Sequence, residues 1–387
     1  MKRFLPALLI AAFHLSAAPF LGQVRNRLLD SFGRDFLRVL GLLLAMVLVS
    51  VVGVGLWRIR SGRRWRYAAL AAVVALVVLQ TLAGGTGIAQ VDLVEKVHFV
   101  QYGLLAAAIY WALSPRRDLS VLLLALLGTL AVGTLDELVQ WWSPTRVGEL
   151  KDIGLNVYAG LCGLLVAVAF MPLVPFRRGF DGCHGRQTAR VAAVVLVLLA
   201  GFYQAAHVGY EIVDPEIGRF RSWFSPERLH ELATERQVTW RGGAPLQTLA
   251  SGEDRYRTEA GWHVSHRNAS LAAGQVRTAW IENRILETYY DPFLDQEPSH
   301  GGGTHRWSPV QRAEVEARVV ASGAPLDRAP GYDSPVLRTR IHPRPTSAEI
   351  WLGVVLVWAV LAVWEYRARR SLGPALARHT TGERAER

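Results

Sequence analysis

Long, almost uncharged apolar runs recur along this chain. Each is long enough to cross a hydrocarbon core, which takes about 20 residues as a helix. Inside hydrocarbon every backbone polar group has to be bonded within its own segment, so such runs commit the chain to transmembrane α-helices. They are read at residues 4–20, 39–57, 67–83, 95–113, 119–141, 152–174, 191–210 and 349–366. The sequence therefore predicts an all-α polytopic membrane protein of about eight transmembrane helices, with a mainly helical extracytoplasmic domain between the last two.

The first run follows Met1-Lys2-Arg3 and ends near Ser16-Ala17-Ala18, which is the outline of a signal peptide. Pro19 directly after the small residues, and the polytopic remainder, favour a retained first helix in which His14 is an ordinary helix or interface residue. Residues 21–37 mix Arg25, Arg27, Arg34 and Asp35 with Leu28, Leu29, Phe32 and Phe36, as an amphipathic connection along a membrane surface would.

The formal charge is +11, and nearly all of the positive charge is arginine. Its clusters stand beside apolar runs, at Arg58 to Arg66, Arg116-Arg117, Arg177-Arg178 and Arg367 to Arg370, where they set topology; no nucleic-acid partner is expected. Alternation places all of these clusters on one side. Both termini are then cytoplasmic, in the inner (plasma) membrane, and the long stretch before the last span lies outside. The two cysteines, Cys162 and Cys183, offer no disulfide framework.

The chain divides into N-terminal helices and a basic loop (1–66), a membrane core (67–174), a basic loop and seventh span (175–210), the extracytoplasmic domain (211–347), and a final helix with a basic tail (348–387). In the domain, Ser225-Pro226 and Ser308-Pro309, the latter with Gln311, are helix starts. Glu253 to Leu294 has helical periodicity, and Val336 to His342 permits a strand. Glu259, His263 and His266 form only a weak metal pattern, read as helix packing.

The polar stretch from Asp136 to Gly163, DELVQWWSPTRVGELKDIGLNVYAGLCG, interrupts two very apolar segments. Ionisable groups in or beside a bilayer need a reason. Asp136 with Gln140, and Asp152 with Asn156, share helix faces, as do Glu95 and His98. Together with Tyr102, Glu137 and Arg146 they outline a candidate outward-facing pocket. Its groups can act as acid and base, ligate a hard cation, or simply pair with one another, Arg146 neutralising Asp136 and Asp152. The spacing lacks a dedicated zinc motif, and neither metal nor cofactor is expected. Trp141 and Trp142 read as interface anchors, and Gly160 and Gly163 as a close helix approach.

EKVHFVQYGLLA from Glu95, followed by the Asp136 to Gly163 stretch, resembles the two signatures of the VanZ-like membrane family. The match rests on His98, Tyr102, Asp136, Glu137, Gln140, Pro144, Arg146, Asp152, Asn156 and Gly160. Gln101 and Thr145 depart from it, where an acid and a glycine are usual. The resemblance covers residues 67–174. It implies a cell-envelope protein, linked through the family's name-giving members to teicoplanin-type glycopeptide resistance. The expected ligand is a lipid-linked envelope precursor or a glycopeptide, with an envelope protein partner for residues 211–347. Catalysis on such a precursor and a purely structural role for the charges are the alternatives.

Overall fold

The computed structural model describes residues 2–84, 92, 93, 95–116, 118–144, 146–171, 182–245, 247, 252–296, 304–326, 329 and 331–382. Gly85 to Gly87, Arg117, Thr145, the Arg177-Arg178 cluster and His300 to Gly303 lie outside them. The protein is an all-α polytopic membrane protein: among the described residues seven helices are long and apolar enough to cross a membrane, and sheet is confined to one two-stranded hairpin. The chain forms two compact units, Met1–Gln140 with Gly148–Phe202 and Trp351–Arg387, and Trp141–Val147 with Tyr203–Ile350.

The first unit is built from α1 (Leu5–Arg58), α2 (Arg63–Ala83), α3 (Val97–Leu113), α4 (Ser120–Trp142), α5 (Leu150–Phe170), α6 (Gly182–His207) and α12 (Ser347–Gly382). At 54 residues, α1 is far longer than one crossing needs. Residues 21–37, expected as a separate surface connection, are helical and join its two apolar halves. The helix breaks at Gly33, whose φ of 54° and ψ of −131° an L side chain rarely adopts. Both ends of α1 lie at the same end of the bundle. Arg3 stacks over Trp111 near the end of α3, Gly55 faces Leu70 and Phe170, and the Tyr110 hydroxyl donates to Met171 O at 2.7 Å.

Helices α3 and α5 form the centre. They meet at Gly103 and Gly163, where a Cβ on Gly163 would collide with the Gly103 backbone. A Cβ on Gly160 would sit 2.7 Å from Thr129 of α4. Small residues thus let the backbones approach, as expected for helices that gain little from the hydrophobic effect in lipid. Arg66 holds the α2 start to the end of α5, donating to Ala169 O at 2.5 Å and Phe170 O at 3.1 Å. Arg190 of α6 pairs with Glu365 of α12 at 2.6 Å.

The second unit combines a hairpin, β1 (Tyr210–Asp214) with β2 (Gly218–Ser222), and the helices α7 (Pro226–Thr239), α8 (Arg255–Ala272), α9 (Val276–Tyr289), α10 (Asp291–Leu294) and α11 (Pro309–Ala321). Ser225 and Ser308 cap α7 and α11 as read from the sequence, accepting from Arg228 N at 3.3 Å and Gln311 N at 3.2 Å. The single periodic stretch Glu253 to Leu294 is three helices. Gly274, at φ +78°, turns α8 back into α9. Ile212, Phe220, Leu229, Leu232, Tyr256 and Ile285 form the core. Val336 to His342 is not a strand: Leu337 takes a φ of 63°, Arg340 and Ile341 N–H groups turn back to its carbonyl, and only His342 bridges, to Val208.

Candidate functional site

The first unit buries a polar cluster among α3, α4 and α5. The hydroxyl of Tyr102 donates to Asp136 Oδ2 at 2.8 Å, and Gln140 Nε2 donates to the same oxygen at 3.2 Å and to Glu137 Oε1 at 3.0 Å. The Glu149 N–H, at the first turn of α5, donates to Glu137 Oε2 at 3.0 Å. Asp136, Glu137, Gln140, Tyr102 and Asn156 are all buried. Helical spacing places Asp136, Glu137 and Gln140 on one face of α4, and the α3–α5 approach at Gly103 brings Tyr102 to that face. Asp136, Glu137 and Asp152 all act electrostatically on Tyr102.

Six of the nine residues expected to make the pocket are thus brought together here: Tyr102, Asp136, Glu137, Gln140, Asp152 and Asn156. His98 adjoins them, its ring 5.9 Å from that of Tyr102 and its Nδ1 3.0 Å from Glu95 O. The Glu95 carboxylate is turned to Lys151, pairing with its Nζ at 2.9 Å. That salt bridge was missed because 56 residues separate its partners. Arg146 falls in the second unit, with Trp141–Val147, and its N–H donates to Ser143 O at 3.2 Å.

Two side chains of the cluster carry unpartnered polar atoms. Asn156 is fully buried with neither Oδ1 nor Nδ2 hydrogen-bonded among the described residues, and its amide lies against Gly133. His14, read from the sequence as an ordinary residue of the first helix, is buried with its ring 5.1 Å from Tyr102 and its Nδ1 unpartnered. A lone histidine in an apolar run was the only sign of it; the fold of α1 onto α3 brings it in. On the other side of α3, an apolar cavity of about 280 Å³ is lined by α1, α2, α3 and α5, among them Leu48, Val77, Leu104 and Val166, with Lys96 also on its wall.

The second unit buries a different network. Glu259 accepts from Ser222 Oγ at 2.7 Å, Tyr290 OH at 2.6 Å and Trp223 N at 2.6 Å. Glu282 faces His263 Nδ1 at 2.6 Å and accepts from Tyr332 OH at 2.5 Å and Ser334 Oγ at 2.6 Å. Burial pushes the Glu259 carboxyl up to about 7 against those donors and His263. Burial acts the same way on Glu282, but His263 and the two hydroxyls outweigh it and hold that carboxyl below its ordinary value. His263 is a packed histidine, as expected. Its carboxylate partner lies on the neighbouring helix, not at Glu259. Among the described residues no group of three or more histidine, cysteine or acidic side chains is placed to hold a metal ion.

No family model matches the chain, and no curated protein or solved structure matches it.

Proposed function

We propose that this is a VanZ-like protein of the inner membrane whose α3–α4–α5 cluster opens outward and binds an envelope component, such as a lipid-linked cell-wall precursor. The observation that carries this reading is the Asn156 carboxamide, fully buried, without a hydrogen bond among the described residues, and set against Gly133 on the helix that carries the hydrogen-bonded Asp136. An unsatisfied amide in a membrane core is costly, and a ligand bearing hydroxyl or amide groups would relieve it. The cavity on the other side of α3 has the apolar character that a lipid tail requires. The VanZ-like motif residues support the family reading, and the link to teicoplanin-type glycopeptides comes through it.

The orientation belongs to the same proposal. The break at Gly33 and the return of α1 to the same end of the bundle support two crossings by α1, hence eight in all. Arginine clusters then share the cytoplasmic side with both termini, and the second unit stands outside as a platform for an envelope partner.

A structural reading also has a specific observation behind it. The bonds from Tyr102, Gln140 and the Glu149 N–H tie three helices together through Asp136 and Glu137. Asp136→Asn and Asn156→Leu variants, compared with wild type for membrane abundance, envelope phenotype and glycopeptide susceptibility, separate the two. Normal abundance with an altered phenotype supports a ligand site. Full rescue of a deletion by both variants sinks it, and lost abundance alone assigns the cluster to helix locking.

A further inference from the structure

The second unit holds a buried cation without a hydrogen bond among the described residues. Arg255, at the start of α8, is only 2% exposed, and its Nε and both terminal nitrogens lack hydrogen-bond partners among the described residues. Its guanidinium lies 4.4 Å from the ring centre of Trp141 and 5.4 Å from that of Trp223. Trp141, expected as an exposed interface anchor, is buried under this contact, and its Nε1–H is unpartnered as well. Trp223 differs, since its Nε1 donates to Ala206 O at 3.0 Å.

The nearest acid on the helix face does not answer Arg255. Glu259 stands one turn along α8, but its oxygens are taken by Ser222, Trp223 N and Tyr290. Burial lowers the Arg255 pKa to about 10, still far above neutrality, so the group is charged. An arginine offers donors only, and so does an indole N–H. The corner therefore contains a buried positive charge, two aromatic faces and several donors that no acceptor among the described residues bonds, with Glu259 and Asp254 acting on Arg255 only at a distance. A desolvated cation is ordinarily hydrogen-bonded as well, and an acceptor that carries negative charge would complete this one. Guanidinium geometry suits the two oxygens of a phosphate or carboxylate.

We propose that Arg255 and the Trp141 N–H form a binding site for a phosphate-type anion, separate from the polar cluster of the first unit. The group can be the headgroup of an anionic lipid or a soluble phosphate, and both present the same oxygens.

The test uses the full-length protein in nanodiscs of phosphatidylcholine, with or without phosphatidylglycerol, and with inorganic phosphate titrated into the phosphatidylcholine discs. Thermal unfolding is followed in each. Stabilisation by phosphatidylglycerol alone assigns a lipid headgroup, and stabilisation by phosphate assigns a soluble anion. No stabilisation by either overturns the proposal. Arg255→Gln abolishes the response, and Trp141→Phe, which keeps the ring and removes the donor, weakens the anion's apparent affinity about tenfold. A wild-type response in Arg255→Gln overturns the site. If that variant does not accumulate, an unchanged midpoint in Trp141→Phe does so.

Discussion

Each unit buries a pair of carboxylates held by hydrogen bonds, and what differs is the kind of group beside them that lacks one. In the second unit Glu259 and Glu282 each meet three hydrogen-bonding partners, drawn from β2 and the residue after it, α8, and the segments around Tyr290 and Tyr332. In the first unit Asp136 and Glu137 are tied to Tyr102, Gln140 and the Glu149 N–H, yet Asn156 and His14 beside them keep unpartnered atoms. In the second unit the groups lacking a hydrogen bond among the described residues include the Arg255 guanidinium and His263 Nε2, while removing a member of either carboxylate network strands the others. In the first unit they include a neutral amide and an imidazole, whose burial without a partner is costly.

The largest effect that would test this contrast is at Glu282. Replacing it by alanine strands His263 and the hydroxyls of Tyr332 and Ser334, and should cost about 3–5 kcal/mol, read as a collapse in thermal stability and membrane abundance. A variant with normal melting would mean that the second network is not structural. Next is Gly163→Ala, which drives a methyl into the Gly103 backbone. Overpacking of this kind costs about 1–3 kcal/mol, measured by unfolding in detergent.

A smaller effect is expected from pH. The Glu259 carboxyl, raised to about 7 in the folded protein, binds a proton there before the unfolded chain does. Its contribution to stability is therefore full below the ordinary carboxylate range and is lost as pH rises to about 7. Glu259→Gln should remove that decline from the pH profile of unfolding. Glu282, held low, contributes in the opposite sense: its share is lost as pH falls through its folded pKa. The smallest stability effect is expected at Asn156. Asn156→Leu deletes an unsatisfied amide, so melting should be unchanged or slightly raised while any ligand-dependent phenotype disappears. Strong destabilisation would show that the amide has a partner after all and erase the contrast between the units.

Much of the architecture was legible in the residue pattern. Apolar runs and arginine clusters gave away the membrane helices, Ser225-Pro226 and Ser308-Pro309 gave the starts of α7 and α11, and Gly163 announced a close helix contact. The Asp136–Gln140 and Asp152–Asn156 spacings also put each pair on one face of its own helix. What could not be read were partners distant in sequence: Lys151 for Glu95, His14 for Tyr102, Glu282 for His263, and Trp141 for Arg255. Val336 to His342 alternates like a strand, yet a left-handed Leu337 turns it.

The sequence by itself determined that the chain enters a membrane, where α7 and α11 begin, and which polar side chains share a helical face. Those properties depend on transfer free energy and on the 3.6-residue repeat, and both act locally. Only the tertiary structure decided which buried groups are hydrogen-bonded, that α1 breaks at Gly33 and packs His14 against Tyr102, and that Arg255 meets two indoles without a hydrogen bond among the described residues. Hydrogen bonds and ion pairs reach only a few ångströms, so whether a polar group has its partner depends on how segments far apart in the chain are packed.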